Sequence, residues 1–145
     1  MILAAILKSK GASVLSVTPA TRISDVIKVL AEKRIGAVLV CDEANGLEGI
    51  LSERDIVRTL ADHAGATFDM MAEQLMTRSL KVASPETTVA EAMEMMTDGR
   101  FRHLPVLAGG KLVGLVSIGD VVKARLSQQE HEVDSLKAYV TGAVS

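Results

Sequence analysis

The amino-acid sequence predicts an α+β fold made of two copies of one β-α-β-β-α unit, packed with pseudo-two-fold symmetry. Three observations predict it: a collinear internal repeat, short apolar runs that alternate with helix-period segments, and a composition that can bury a core. With 145 residues, 48% hydrophobic and 23% charged, the chain is one compact body's worth of sequence and is not disordered. A chain of this size buries about two thirds of its unfolded surface, so it requires no disulfide or structural metal to fold.

The repeat is read by sliding the sequence along itself. At a shift of 66, Pro19 falls on Pro85, Thr21 on Thr87, Arg34 on Arg100 and Val40 on Val106. One residue is then lost in a turn, and at a shift of 65 Gly49 falls on Gly114, Ser52 on Ser117, Asp55 on Asp120 and Val57 on Val122. The predicted division is residues 1–63, residues 64–127 and a C-terminal helical tail, residues 128–145. One unit alone leaves a small sheet with an open apolar face, which two units can cover for each other.

The elements follow in order. A short helix precedes each unit, at Ile2–Leu7 and Met70–Met76. Val14–Val17 and Leu80–Ala83 are brief apolar runs ahead of a proline and read as strands. Ile23, Val26, Ile27 and Leu30 share one helical face, repeated as Val89, Ala92, Met93 and Met96. Thr88 and Glu91 form a capping-box pair, whereas the first copy has Arg22 at that point. Ala37–Cys41 and His103–Leu107 are strands, and Pro105 confines its strand to an edge or ends it. The turns Asp42–Gly46 and Ala108–Gly110 lead to strands Leu47–Leu51 and Leu112–Val116, and helices open at Ser52 and Ser117. The clustered methionines, Met70, Met71, Met76, Met93, Met95 and Met96, read as core or helix contacts. In the tail, Val133, Leu136 and Val140 share a face that packs on the same body or on a second chain.

Composition excludes several classes of function. Lys+Arg 16 against Asp+Glu 18 gives net −2, which argues against a nucleic-acid ligand. Only Phe68, Phe101 and Tyr139 are aromatic, too few to stack single-stranded bases. Cys41 is the single cysteine and lies in an apolar run, so it reads as a buried small hydrophobe. The apolar stretch Met1–Leu7 is too short for a signal peptide or a membrane span, and the expected location is the cytoplasm. His63, His103 and His131 lack metal-ligand spacing, Ser52 and Ser117 lack a nucleophile elbow, and no phosphate-loop glycine fingerprint occurs. The expectation is a protein that is not an enzyme and has no catalytic cofactor or metal.

The strongest local signal is duplicated. Gly49-Ile50-Leu51-Ser52-Glu53-Arg54-Asp55 matches Gly114-Leu115-Val116-Ser117-Ile118-Gly119-Asp120, each at a strand-to-helix junction. Two readings fit. Ser with an acid three residues later caps a helix, an effect of about 0.5–2 kcal/mol. The same carboxylate can accept hydrogen bonds from a vicinal diol while the helix start attracts an anion, as a nucleoside phosphate would require. Gly119 leaves room for close approach, and Arg54 places a cation at the other junction. A second signal is Arg100-Phe101-Arg102-His103-Leu104-Pro105, read either as a solvated strand start or as a phosphate-contacting edge. The first copy has Gly36 and Ala37 in place of Arg102 and His103, so the second site is expected to suit phosphate better.

These residues resemble the cystathionine β-synthase (CBS) domain family. Nearly the whole chain, from about Met1 to Lys123, is similar to a stand-alone tandem pair, a Bateman module. The resemblance implies a regulatory, energy- or redox-sensing module with an adenine nucleotide in clefts between the repeats: AMP first, with ATP, ADP or NAD as further ligands. It implies that Asp120 and Asp55 hold ribose hydroxyls and that Ser117 and Ser52 contact ribose or phosphate. Arg102, His103 and Arg54 would lie near phosphate. Adenine would sit against Leu104, Pro105, Lys81, Val82 and Ser84, or against Ser16, Thr18, Ala37 and Val38 in the first copy. Val82 departs from the polar residue often found there. The implied partners are a second copy in a homodimer and an unidentified regulated protein, with no nucleic acid and no membrane. The rival reading is a structural dimerisation or adaptor module without a physiological ligand; a metal-binding or hydrolytic protein built on the histidines is the third.

Overall fold

The computed structural model describes residues 1–11, 14–44 and 46–144, with 139–144 described by backbone alone; Asn45, in the first predicted turn, and the Val140 side chain lie outside the described set. In chain order the elements are α1 (Leu3–Lys10), β1 (Ser16–Val17), α2 (Ile23–Lys33), β2 (Ala37–Asp42), β3 (Gly46–Ser52), α3 (Glu53–His63), α4 (Ala72–Leu75), α5 (Val89–Gly99), β4 (His103–Ala108), β5 (Lys111–Ser117) and α6 (Ile118–Val144), with a 3₁₀ segment at Ala64–Asp69. The chain divides into two compact units. A central unit comprises Ser13–Lys81; a C-terminal unit comprises Met1–Ala12 with Val82–Ser145.

In the central unit β1 runs parallel to β2, and β2 is antiparallel to β3 from Ala37↔Ser52 to Asp42↔Gly46. Ile23, Val26 and Leu30 of α2 recur at helical spacing and are buried together with Val38, Val40 and Leu51 of the sheet. In the C-terminal unit β4 and β5 pair antiparallel from His103↔Ser117 to Ala108↔Lys111. Gly109 and Gly110 have φ of 57° and 79°, which a two-residue primed hairpin turn requires. Val89, Ala92 and Met96 of α5 pack with Leu104, Val106, Val116 and Val121. Thr88 and Glu91 form the expected reciprocal cap on α5, while Arg22 offers α2 no side-chain cap. Arg34 and Arg100 both end their helices in the left-handed region, at φ 53° and 55°, so the repeat extends to an uncommon backbone conformation.

The compact units differ from the linear halves in one respect. Leu3 and Ile6 of α1 are buried in the C-terminal unit, not against the strands that follow α1 in sequence. The Leu3 N–H donates to Thr87 O at 2.8 Å, Ala4 N–H to Pro85 O at 2.9 Å, and Val89 N–H to Met1 O at 2.9 Å. In the central unit Ala72 N–H donates to Thr21 O, Glu73 N–H to Pro19 O and Ile23 N–H to Met70 O. The two sets are equivalent under the repeat. Each unit therefore takes a docking helix from outside its own linear half: α4 for the first, α1 for the second.

Two further differences have local causes. Leu80–Ala83 is not a strand; it contributes one parallel bridge, Ala83↔Val106. The equivalent Leu39 N–H in the central unit donates to Leu15 O at 3.2 Å, but Pro105 stands at that position in β4 and has no N–H to give. And the tail is not a separate segment, since α6 runs without a break through residues 127 and 128.

At Gly49 the central unit leaves no room for a side chain. A Cβ there would lie 2.8 Å from Thr77 O, the carbonyl that accepts from Ile50 N–H, and 2.8 Å from Met76 Sδ. At Gly114 the obstacle is only the end of the Leu7 side chain. Gly49→Ala is therefore expected to cost about 1–3 kcal/mol, the usual range for overpacking, and Gly114→Ala less. Urea unfolding of the two variants checks the order.

Candidate functional site

The antiparallel register builds both junctions. Because His103 pairs with Ser117 and Ala37 with Ser52, the start of the first hairpin strand lies beside the start of the following helix in each unit. The residue just before each strand closes the corner with its carbonyl: Ile118 N–H donates to Arg102 O at 2.8 Å, and Glu53 N–H to Gly36 O at 3.0 Å.

Both Ser-Asp pairs form capping boxes. Ser117 N–H donates to Asp120 Oδ2 at 2.9 Å and Asp120 N–H to Ser117 Oγ at 3.1 Å. Ser52 N–H donates to Asp55 Oδ2 at 2.9 Å, and Asp55 N–H to Ser52 Oγ at 3.3 Å. Of the four N–H groups that open α6, three are thus satisfied; Gly119 N–H has no such partner among the described residues. Gly119 is exposed, and a Cβ on it would meet nothing closer than Ser117 Oγ at 3.6 Å. The helix start therefore offers an incoming anion one open backbone donor rather than a row of them.

The two acids differ in their further partners. Asp120 Oδ2 also accepts from Lys10 Nζ at 2.7 Å, and the same ammonium donates to Leu115 O at 3.0 Å. Asp55 accepts at Oδ2 from the Ser52 hydroxyl at 2.9 Å and at Oδ1 from the Thr77 hydroxyl at 3.5 Å. Lys10 and Thr77 were not among the sequence-derived candidates. Each follows or ends the docking helix region that crosses from the other linear half, so local pattern carried no signal for them.

Burial pushes the Asp120 carboxyl up, but the Lys10 hydrogen bond, the Ser117 N–H and the Lys10 charge outweigh it, and its pKa lies below the ordinary value. A carboxylate whose folded pKa is depressed stabilises the fold above its unfolded pKa of about 3.9 and loses that contribution as pH falls toward the folded value. The stability gap between the parent chain and Lys10→Met is therefore expected to be constant above about pH 5 and to narrow below pH 4. Denaturant midpoints of both proteins across that range check it.

Of the residues expected near adenine, Val38 and Leu104 are fully buried in their cores and expose no side-chain surface; Ala37 and Pro105 are buried as well. Val82, Ser16 and Lys81 are exposed; Lys81 is the last residue of the central unit, whereas Val82 and Ser84 belong to the C-terminal unit. Thr18 and Ser84 serve equivalent turns, their N–H groups donating to Thr21 and Thr87 Oγ1 at 3.0 and 3.1 Å. Arg102 and Arg54 are exposed beside their junctions, and His103 is half-buried. Cys41, expected to be buried, is half-buried; burial pushes its thiol up, with a Ser16 hydrogen bond acting against it. Among the described residues no cluster of His, Cys, Asp and Glu could hold a metal ion, and no helix is long and apolar enough to cross a membrane.

Paired strand-helix junctions on a duplicated unit define a class, and comparison with known proteins agrees with it. The CBS domain family matches at two tandem positions, residues 10–62 and 72–127, and the chain belongs to that family. It is 35% identical over 145 residues to the CBS domain-containing protein CBSX3, mitochondrial, of Arabidopsis thaliana, covering 94% of this chain and 70% of that one. The crystal structure of the CBS-domain containing protein ATU1752 from Agrobacterium tumefaciens superposes with a TM-score of 0.83 at 38% identity, covering 86% of this chain and 99% of that one. The crystal structure of CBSX2 in complex with AMP superposes with a TM-score of 0.67 at 30% identity, covering 80% and 90%.

Proposed function

We propose that this chain is a non-catalytic regulatory module that binds an adenine nucleotide at its Ser-Asp junctions. The observation that carries the proposal is the duplicated junction itself, with a carboxylate, an uncrowded backbone N–H at Gly119 and an exposed arginine at Arg102 gathered at the C-terminal unit. In this reading Asp120 receives the ribose hydroxyls, Gly119 N–H and Arg102 the phosphate. The complex of CBSX2 with AMP supports AMP as the first ligand to test; ADP, ATP and NAD-type nucleotides follow. Asp55 with Arg54 forms the second, weaker candidate, because Asp55 already spends both oxygens on hydroxyl donors. A homodimer that signals nucleotide occupancy to a regulated protein in the cytoplasm completes the proposal.

Titration calorimetry with AMP, ADP, ATP and NAD tests it, together with mass spectrometry of small molecules released from the purified protein by heat. Saturable binding of at least one nucleotide is expected. A second reading, a structural dimerisation or adaptor module, is favoured by the fact that both acids already act as complete helix caps. It holds if no nucleotide raises the melting temperature.

A further inference from the structure

We infer that the C-terminal half of α6 is a parallel, two-stranded coiled-coil strand whose partner is the same helix of a second copy. It specifies where the proposed homodimer forms and does not depend on nucleotide binding.

Helix α6 has 27 residues, more than twice the usual length. Every residue from Gln129 to Ala138 is exposed, so no described residue covers this stretch on any side. A helical segment of that length without packing is marginal in water. Its sequence shows what would cover it. Val122, Leu126, Gln129, Val133 and Leu136 are spaced by four, three, four and three residues, the seam of a heptad repeat. The four apolar members are 41%, 54%, 50% and 63% exposed, values unusual for a row of large aliphatic side chains. The seam starts in an open groove bordered by Ile118, Gly119, Val122, Lys123 and Leu126.

Charge identifies the occupant. With Leu126 and Val133 at heptad position a, the positions that flank the seam are Arg125 and Glu132 on one side and Lys123, Glu130 and Lys137 on the other. In a parallel in-register pair each g residue faces the e residue five positions later on the partner strand. That sets Arg125 against a Glu130 and Glu132 against a Lys137, opposite charges both times, and by symmetry twice over. An antiparallel pair centred on Glu130 would set Glu130 against itself and Lys123 against Lys137, like charges both times. Shifting the antiparallel pair to oppose Lys123 with Glu130 and Arg125 with Glu132 removes that repulsion but sets Leu126 against Gln129 and Leu136 against Gly119; only the parallel pair combines opposite charges with Val122, Leu126, Val133 and Leu136 each stacked on its own copy. Gln129, the one polar seam residue, would fix the register, as a single polar residue does in such helices.

Analytical ultracentrifugation of the full chain tests the assignment, with circular dichroism to confirm folding and AMP calorimetry on each variant. The parent chain is expected to be a dimer. Leu126→Glu with Leu136→Glu should raise the dimer dissociation constant at least tenfold. Glu132→Lys should weaken the dimer, and adding Lys137→Glu should restore it by exchanging the charges of the pair. Val133→Cys in a Cys41→Ser background should form a disulfide between copies on oxidation, as only the parallel register brings the two together. A monomeric parent chain, or a dimer unchanged by the double glutamate variant, overturns the assignment; so does a Glu132→Lys defect that Lys137→Glu fails to relieve. Loss of the dimer with AMP binding retained separates this interface from the nucleotide site.

Discussion

Asp120→Ala is expected to lower AMP affinity about ten- to hundredfold, because each hydrogen bond from a hydroxyl to a charged carboxylate contributes about 1.5–3 kcal/mol. The expectation separates the two roles this side chain can hold. As a cap, Asp120 accepts from Ser117 N–H and faces the positive end of α6; its loss then costs about 0.5–2 kcal/mol of stability and leaves affinity alone. As a ribose ligand, its loss removes both effects. Thr88→Ala is the control, since it breaks the equivalent cap on α5 at a residue outside the proposed site, and Ser117→Ala reads the loss of the Asp120 N–H bond with the carboxylate kept. Isothermal calorimetry and thermal unfolding on Asp120→Ala, Ser117→Ala, Thr88→Ala and the parent chain give both quantities. A lowered melting temperature with AMP affinity intact shows that the acid is a cap and that the nucleotide reading fails at this residue.

Lys10 sharpens this expectation. Its ammonium already occupies Asp120 Oδ2, so a ribose at that carboxylate shares the oxygen or uses Oδ1, to which no described residue donates. Lys10→Met is expected to change AMP affinity in the opposite sense from Asp120→Ala if the lysine must be displaced, and in the same sense if it contacts the phosphate. Running both variants in one calorimetric series tells which side of the site the ammonium serves.

Features that depend on near neighbours in sequence could be read before the structure. The capping boxes at Ser52, Thr88 and Ser117 need only a residue and its third successor, and all three form. The helical face of Ile23, Val26 and Leu30 needs only a period, and it is buried as the period requires. The hairpin registers follow from short turns, which leave little freedom in pairing. Features that depend on distant partners were not legible. The residue that salt-bridges Asp120 lies 110 positions away, and no local pattern assigns α1 to the unit that ends the chain. The lost strand at Leu80–Ala83 is an intermediate case: Pro105 announced an edge, but not that the neighbour across the missing N–H would shrink to one bridge. The apolar spacing of the tail was legible too, whereas the exposure of Val133 and Leu136 among the described residues was not, because burial belongs to the fold as a whole.

The placement of α1 makes the second large expected effect. Leu3 is 0% exposed and sits with Val89, Leu104 and Val116, although more than 80 residues separate it from the nearest of them. Truncating a buried leucine to alanine costs about 2–5 kcal/mol, the sum of lost burial and the cavity left behind. Domain stabilities are about 5–15 kcal/mol in total, so Leu3→Ala should remove a large share of what holds this unit. The effect should also be local. Amides of β4 and β5 should exchange faster with solvent in Leu3→Ala, with those of β2 and β3 changing less, because Leu3 packs in the first set's core and not in the second's. Ala72→Gly, which removes the buried side chain of the equivalent docking helix, should do the reverse. If Leu3→Ala instead loosens Ala37–Ser52 ahead of His103–Ser117, the N-terminal helix docks on its sequence neighbours and the crossed arrangement of docking helices is wrong. The outcome bears on the site as well: α1 carries Lys10 to Asp120, so a protein that loses its N-terminal helix loses the cation that holds that carboxylate.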